Sequence, residues 1–169
     1  MQQFKVGDYV MHASHGSGQI IAIEEKLTGS ALRLFYTVLI NKSTVWVPVD
    51  SESASTLRLL VSNGALTQYR NLLKSRPKPL QSDRRQRYLE MTTRLQQGSF
   101  EVQCEVIRDL TAHSWPKPLG QMDATALRKV QGTVSQEWAT AAGISPLEAT
   151  REISALLQEG RRMFGALTQ

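Results

Sequence analysis

Leu32-Arg33-Leu34-Phe35-Tyr36-Thr37-Val38-Leu39-Ile40-Asn41-Lys42-Ser43-Thr44-Val45-Trp46-Val47-Pro48 reads as two strands joined by a tight turn. Both flanks are rich in β-branched and aromatic side chains, and Asn41-Lys42-Ser43 supplies the polar break of a hairpin. Pro48 has no N–H to give to a ladder, so it marks a strand end or a sheet edge. Toward the N-terminus, Gln19-Ile20-Ile21-Ala22-Ile23-Glu24-Glu25 reads as a partly buried strand. Gly16-Ser17-Gly18 breaks the chain before it, and Phe4-Lys5-Val6-Gly7-Asp8-Tyr9-Val10 turns at Gly7-Asp8. Four or five short strands in about 50 residues suit a small SH3-like or Tudor-like β barrel, because a sandwich needs more chain.

Downstream of Leu57 the apolar period changes from two to 3.6. Leu66, Tyr69, Leu72 and Leu73 share one face of a first helix. Asp83 is a candidate N-cap with Gln86 at N3, leading into the stripe Tyr88, Met91, Leu95 and the stop at Gly98. Ser99 opens a third helix with Val102, Val106, Ile107 and Leu110, which the two prolines Pro116 and Pro118 end. Asp123 opens a fourth with Leu127, Val130, Val134 and Trp138. Ser145, Pro146 and Glu148 spell a capping box for a fifth, backed by Leu147, Ile153, Leu156 and Leu157. The expected class is α+β: a barrel over residues 1–56 and a compact all-α domain of about five helices over residues 57–169, with the boundary in the polar stretch Asp50 to Ser55.

The chain of 169 residues is 41% apolar with a formal charge of +5, enough to fill a core and too balanced for wholesale disorder. No apolar run approaches the roughly 20 residues that span a bilayer, so no membrane partner is expected. The N-terminus lacks the apolar run of a secretory signal, and the lone Cys104 allows neither an internal disulfide nor a cysteine-rich metal site. A cytoplasmic protein is expected.

Catalytic signatures are missing from the sequence. It contains no phosphate-binding G-x-x-x-x-G-K-[ST], no G-x-G-x-x-G and no H-E-x-x-H. His12 and His15 lack a third metal ligand nearby, and zinc needs three or four. Cys104 falls inside the third helix without a basic activator beside it, which reads as an inert core thiol. The expectation is a binding protein with no enzymatic activity, no cofactor and no metal.

The positive charge is concentrated. Residues 1–60 hold 5 basic and 5 acidic side chains, residues 121–169 hold 5 and 5, and residues 61–120 hold 10 and 5. Arg70, Lys74, Arg76, Lys78, Arg84, Arg85 and Arg87 face only Asp83 within one stretch. Such a field attracts polyanions, and its bland counterpart is a solvated helix face with a basic connector. Charge alone does not separate the two.

Phe4-Lys5-Val6-Gly7-Asp8-x-Val10, His15-Gly16-x-Gly18, Ala22-Ile23-Glu24, Val45-x-Val47-Pro48, Arg87-Tyr88 and Ile107-Arg108-Asp109-Leu110 follow one another in an order and spacing that resembles the CarD/CdnL family of bacterial transcription regulators. The resemblance covers nearly the whole chain. It implies a barrel, similar to the polymerase-interacting domain of the transcription-repair coupling factor, that binds the RNA polymerase β subunit. It also implies a helical domain that touches promoter DNA at the upstream edge of the transcription bubble and stabilises the open complex. On that basis the candidate polymerase contacts are Lys26, Val45, Trp46, Val47 and Pro48, and the candidate DNA contacts are Lys74, Arg76, Lys78, Arg84, Arg85 and Arg87. A monomer is expected.

This sequence departs from the family at two positions. Four residues before Tyr88, where the family commonly places a Trp that wedges into the minor groove, stands Arg84. Where members often carry an Arg in the polymerase-facing strand stands Trp46, which either packs on a partner or belongs to the barrel. The competing view is a free-standing Tudor/SH3-like nucleic-acid-binding module without polymerase contact, against which the neutral charge of residues 1–60 speaks.

Overall fold

The computed structural model describes residues 4–50 and 56–168, and the chain divides into two compact units, Met1–Leu60 and Val61–Gln169. In the first unit β1 (Tyr9–His12), β2 (Gly16–Thr28), β3 (Ala31–Ile40), β4 (Ser43–Pro48) and β5 (Leu57–Leu59) form one antiparallel sheet in the order β4-β3-β2-β1-β5. The sheet curls so that Val47 of β4 and Leu57 of β5, its two edges, share a core with Val10, Ile20, Tyr36 and Val38. This is the Tudor-like barrel expected from the sequence.

Local chemistry explains its bends. Asn41 and Lys42 take φ of 50° and 70°, the mirror-image turn whose twist matches a tight hairpin. Asn tolerates that region, and Lys42 occupies it at a cost of about 1–2 kcal/mol. Ile20 and Ile23 both pack inward although they are three residues apart. The ladder accommodates this by slipping between Ile20 and Ala22, so that Ile21 bulges outward. Gly18 sits where an added Cβ would lie 2.5 Å from both Ile40 Cγ1 and the Leu39 carbonyl oxygen, so no larger residue fits there.

Of the polar stretch Asp50 to Ser55 expected as the boundary, residues 51–55 lie outside the described residues. The helical period expected from Leu57 begins later. Leu57, Arg58 and Leu59 pair with His12, Met11 and Val10, because Leu57 completes the barrel core.

The second unit contains α1 (Leu66–Leu73), α2 (Arg84–Gln96), α3 (Phe100–His113), α4 (Gln121–Ala142) and α5 (Pro146–Phe164), closed by a short 3-10 turn. Three N-caps match the sequence signals. The Asp83 carboxylate accepts from the Gln86 N–H, the Ser99 hydroxyl from Val102, and Ser145 and Glu148 form the reciprocal box. Each such cap is worth about 1 kcal/mol. The helix α4 starts at Gln121 behind Gly120, two residues before Asp123, and ends at Gly143 in the left-handed conformation. Leu66, Leu73, Phe100, Cys104, Ile107 and Trp138 lie in the main core, and full burial of each aliphatic side chain contributes about 1.5–3 kcal/mol. A smaller cluster of Met91, Val106 and Leu110 seats α2 on α3.

Candidate functional site

On the barrel the five candidate residues divide by strand parity. Val45 and Val47 point inward, Val47 fully buried, and they hold β4 to the core. Trp46 lies on the opposite face with 51% of its surface exposed, which decides its placement: it is outside the barrel core. The Lys26 ammonium, two strands away, sits 4.3 Å from the centroid of the Trp46 ring and 3.5 Å from Glu24. A cation over an indole face fixes the ring's orientation and contributes about 0.5–1 kcal/mol at an exposed site. Beneath this pair Thr37 is buried, opposite Trp46 in the ladder.

The edge itself is open on β4. Val49 donates to the Leu34 carbonyl at 3.0 Å, and bonded pairs alternate in an antiparallel ladder, so Val47, Val45 and Ser43 turn their amides toward β3. Thr44 and Trp46 therefore turn theirs outward, and Pro48 has none to turn. The outer edge of β4 can receive a strand through two N–H groups with Trp46 standing beside them.

The basic segment is less uniform than its sequence. Arg76, Lys78, Arg84 and Arg85 are exposed and make no ion pair among the described residues. Lys74 approaches Glu159 at 3.9 Å, and Arg70 is tied to Glu152. Arg87, expected on the contact surface, is instead buried. Its Nε and Nη2 donate to Asp123 Oδ2 at 3.1 and 2.7 Å, and its Nη1 donates to the Gln81 and Ser82 carbonyls at 2.8 and 3.3 Å. The guanidinium thus locks the α1–α2 connector and α2 onto α4. A second buried pair acts on the same connector, since Asp109 Oδ1 accepts from Arg108 Nε and from the Lys78 backbone N–H, each at 2.9 Å.

Tyr88 was expected on the apolar stripe of α2, and it is 40% exposed, one turn beyond Arg84. Met91 and Leu95 satisfy the core without it. Periodicity placed Tyr88 in the interior, and the structure leaves it exposed on the same helix as the exposed Arg84 and Arg85.

Cys104 is fully buried in α3. The His12 and His15 rings lie 4.6 Å apart, and no group of three or more His, Cys, Asp or Glu side chains able to hold a metal occurs among the described residues. His12 Nδ1 accepts the backbone N–H of Ser14 at 3.0 Å and of His15 at 3.2 Å, which caps the β1–β2 turn. Burial and, second to it, the neighbouring His15 hold the His12 pKa below the ordinary imidazole value. Among the described residues no helix is long and apolar enough to cross a membrane.

A five-stranded barrel with an open aromatic edge, followed by a helical unit with an unpaired cationic connector, defines a two-part binding protein. Residues 4–61 match the CarD-like/TRCF RID domain family and residues 68–154 match the CarD C-terminal domain. The chain belongs to the CarD family of transcription regulators, which carry an RNA-polymerase-interacting domain and act without catalysis. It is similar to a Bacillus subtilis (strain 168) protein named "Putative transcription factor YdeB", with 28% identity over 130 residues that cover 73% of this chain and 82% of that relative.

Proposed function

We propose that this protein binds the RNA polymerase β subunit through the free edge of β4 and promoter DNA through the connector and first turn of α2, and thereby stabilises the open complex. The observation that carries the reading is the division of surface chemistry. The barrel offers an aromatic strand edge with balanced charge, and the helical unit offers Arg76, Lys78, Arg84 and Arg85 unpaired beside exposed Tyr88. A β strand of the partner adds to β4 by ladder bonds to the Thr44 and Trp46 amides, with the indole as the side-chain anchor. Tethering by polymerase raises the local concentration of the helical unit at the promoter, so a modest intrinsic DNA affinity suffices. Arg84 sits where the family's wedge is expected. A guanidinium neutralises phosphate or enters a narrow minor groove, but it does not prop bases apart as an indole does. Such a protein works as a monomer in the cytoplasm, where polymerase is.

Capture of purified β subunit by the full chain tests this. Trp46→Ala is expected to weaken capture by about 1–3 kcal/mol, the range of an interface anchor. A folded Trp46→Ala variant that binds with unchanged affinity removes β4 from the interface.

A further inference from the structure

The tetrapeptide Pro-Lys-Pro-Leu occurs twice, at 77–80 before α2 and at 116–119 before α4. Four residues are too few for a repeat architecture. The fold nevertheless brings both copies to the walls of one cavity of about 820 Å³ within the helical unit. Pro77, Pro79, Pro116 and Pro118 give it rigid apolar sides, and the exposed Lys78 and Lys117 belong to the same lining. Arg84 joins them from the first turn of α2.

The two carboxylates on the lining are already neutralised, Asp109 by Arg108 and Asp123 by Arg87. Lys78, Arg84 and Lys117 are therefore an excess of three cations around an apolar chamber. The first turn of α4 borders the cavity, and its N-cap Gly120 supplies no side-chain acceptor for the orphan amides. The site thus calls for an anionic group on the three cations and an apolar body against the prolines.

We propose that this cavity holds one nucleotide, its phosphate on Lys78, Arg84 and Lys117 and its base against the prolines of the two Pro-Lys-Pro turns. Inorganic phosphate would use only the cations. The volume lies within the roughly 300–1,000 Å³ of small-molecule sites. The same chemistry comes from two sources, an unstacked nucleotide of a promoter strand or a free mononucleotide. The inference rests on the proposed DNA contact for the first source, since Lys78 and Arg84 serve both surfaces.

The test is a titration of the full chain with dCMP and with inorganic phosphate, followed by amide NMR shifts. Saturable shifts at residues 77–80 and 116–122, with dCMP bound about tenfold or more tighter than phosphate, are expected. Gly120→Phe suits the backbone, because φ there is −66° and an added Cβ meets nothing within 4 Å. It should weaken dCMP by about tenfold while leaving phosphate binding as it was. Forked DNA with and without a base at the first unpaired position then separates the sources. Loss of affinity on the abasic fork, absent in Gly120→Phe, assigns the site to the strand. Equal affinity for both forks with competition by dCMP assigns it to a free nucleotide. Phosphate binding as well as dCMP, together with indifference to the abasic change, overturns the proposal. Arg85 lies off the cavity lining. Arg76 does too, and if Arg76→Ala with Arg85→Ala leaves fork affinity and its salt dependence unaltered, the proposed DNA contact fails, while the dCMP titration still decides the cavity.

Discussion

Replacing Arg87 by alanine distinguishes a structural guanidinium from a phosphate contact. The side chains of Arg87 and Asp123 are 8% and 4% exposed, and Asp123 Oδ2 takes both of its hydrogen bonds from Arg87. Its other oxygen has no hydrogen-bond partner, so the alanine variant leaves a buried carboxyl group without a protein donor. The Gln81 and Ser82 carbonyls lose their donor in the same step. Breaking a buried pair from one side costs about 3–5 kcal/mol. For a unit the size of residues 61–169, at about 4 °C for each kcal/mol, the transition should fall by about 12–20 °C. Ellipticity at 222 nm follows it, because all five helices belong to this unit. Adding Asp123→Leu to Arg87→Met should recover much of the loss, since the apolar pair leaves no charge to desolvate. A phosphate contact behaves oppositely: alanine would leave melting unchanged and flatten the log-log salt slope of DNA binding by about 0.9. A stability loss below about 1 kcal/mol with a flattened slope refutes the buried-pair account.

The remaining expectations concern the surfaces. With Arg76, Lys78, Arg84 and Arg85 as the phosphate contacts, the salt slope of fork binding is about −3.6, and a rise from about 50 to about 200 mM salt weakens binding roughly 150-fold. Arg84→Ala with Arg85→Ala should flatten that slope by about 1.8, measured by fluorescence titration at several salt concentrations; an unchanged slope makes them a solvated face. Arg84→Trp should lengthen the lifetime of open complexes in a competitor-challenge assay, and a shorter lifetime would remove Arg84 from the bubble edge. His12 gives the barrel a pH dependence. Its folded pKa is lowered, so its contribution is complete above the ordinary value of 6.5 and is lost as pH falls through the folded value. Barrel stability should decline with acidification over that window, and His12→Gln should remove this component; a pH profile unchanged by the substitution refutes it.

Much of the fold was legible because its signals are local. Asp83, Ser99 and Ser145 each cap the helix their spacing announced, and Trp138 is buried as its place on the α4 stripe required. What escaped the sequence depends on partners distant along the chain. Leu57–Leu59 lacks a periodic signature of its own and becomes a strand by meeting Val10–His12. Arg87 shares a basic run with Arg84 and Arg85, and only the approach of Asp123, 36 residues away, turns it inward. Tyr88 falls outside the core because Met91 and Leu95, with α3, already fill the space under α2. Trp46 alternates correctly with Val45 and Val47, so its outward orientation was available from strand parity, but whether its face lay against anything required the sheet order.

Pro48 has a consequence beyond the ladder it ends. An unprotected strand edge is a template for its own copies, and a long flat one seeds fibrils. The free side of β4 offers amides at Thr44 and Trp46 and then a residue that cannot donate, while the opposite edge, β5, is three residues long. A chain that engages β4 gains a short hand-hold and cannot extend it into a continuous stack. The same truncation thus limits strand addition at β4 and guards the barrel against self-aggregation, and replacing Pro48 with a β-branched residue would remove a solubility safeguard along with a strand terminator.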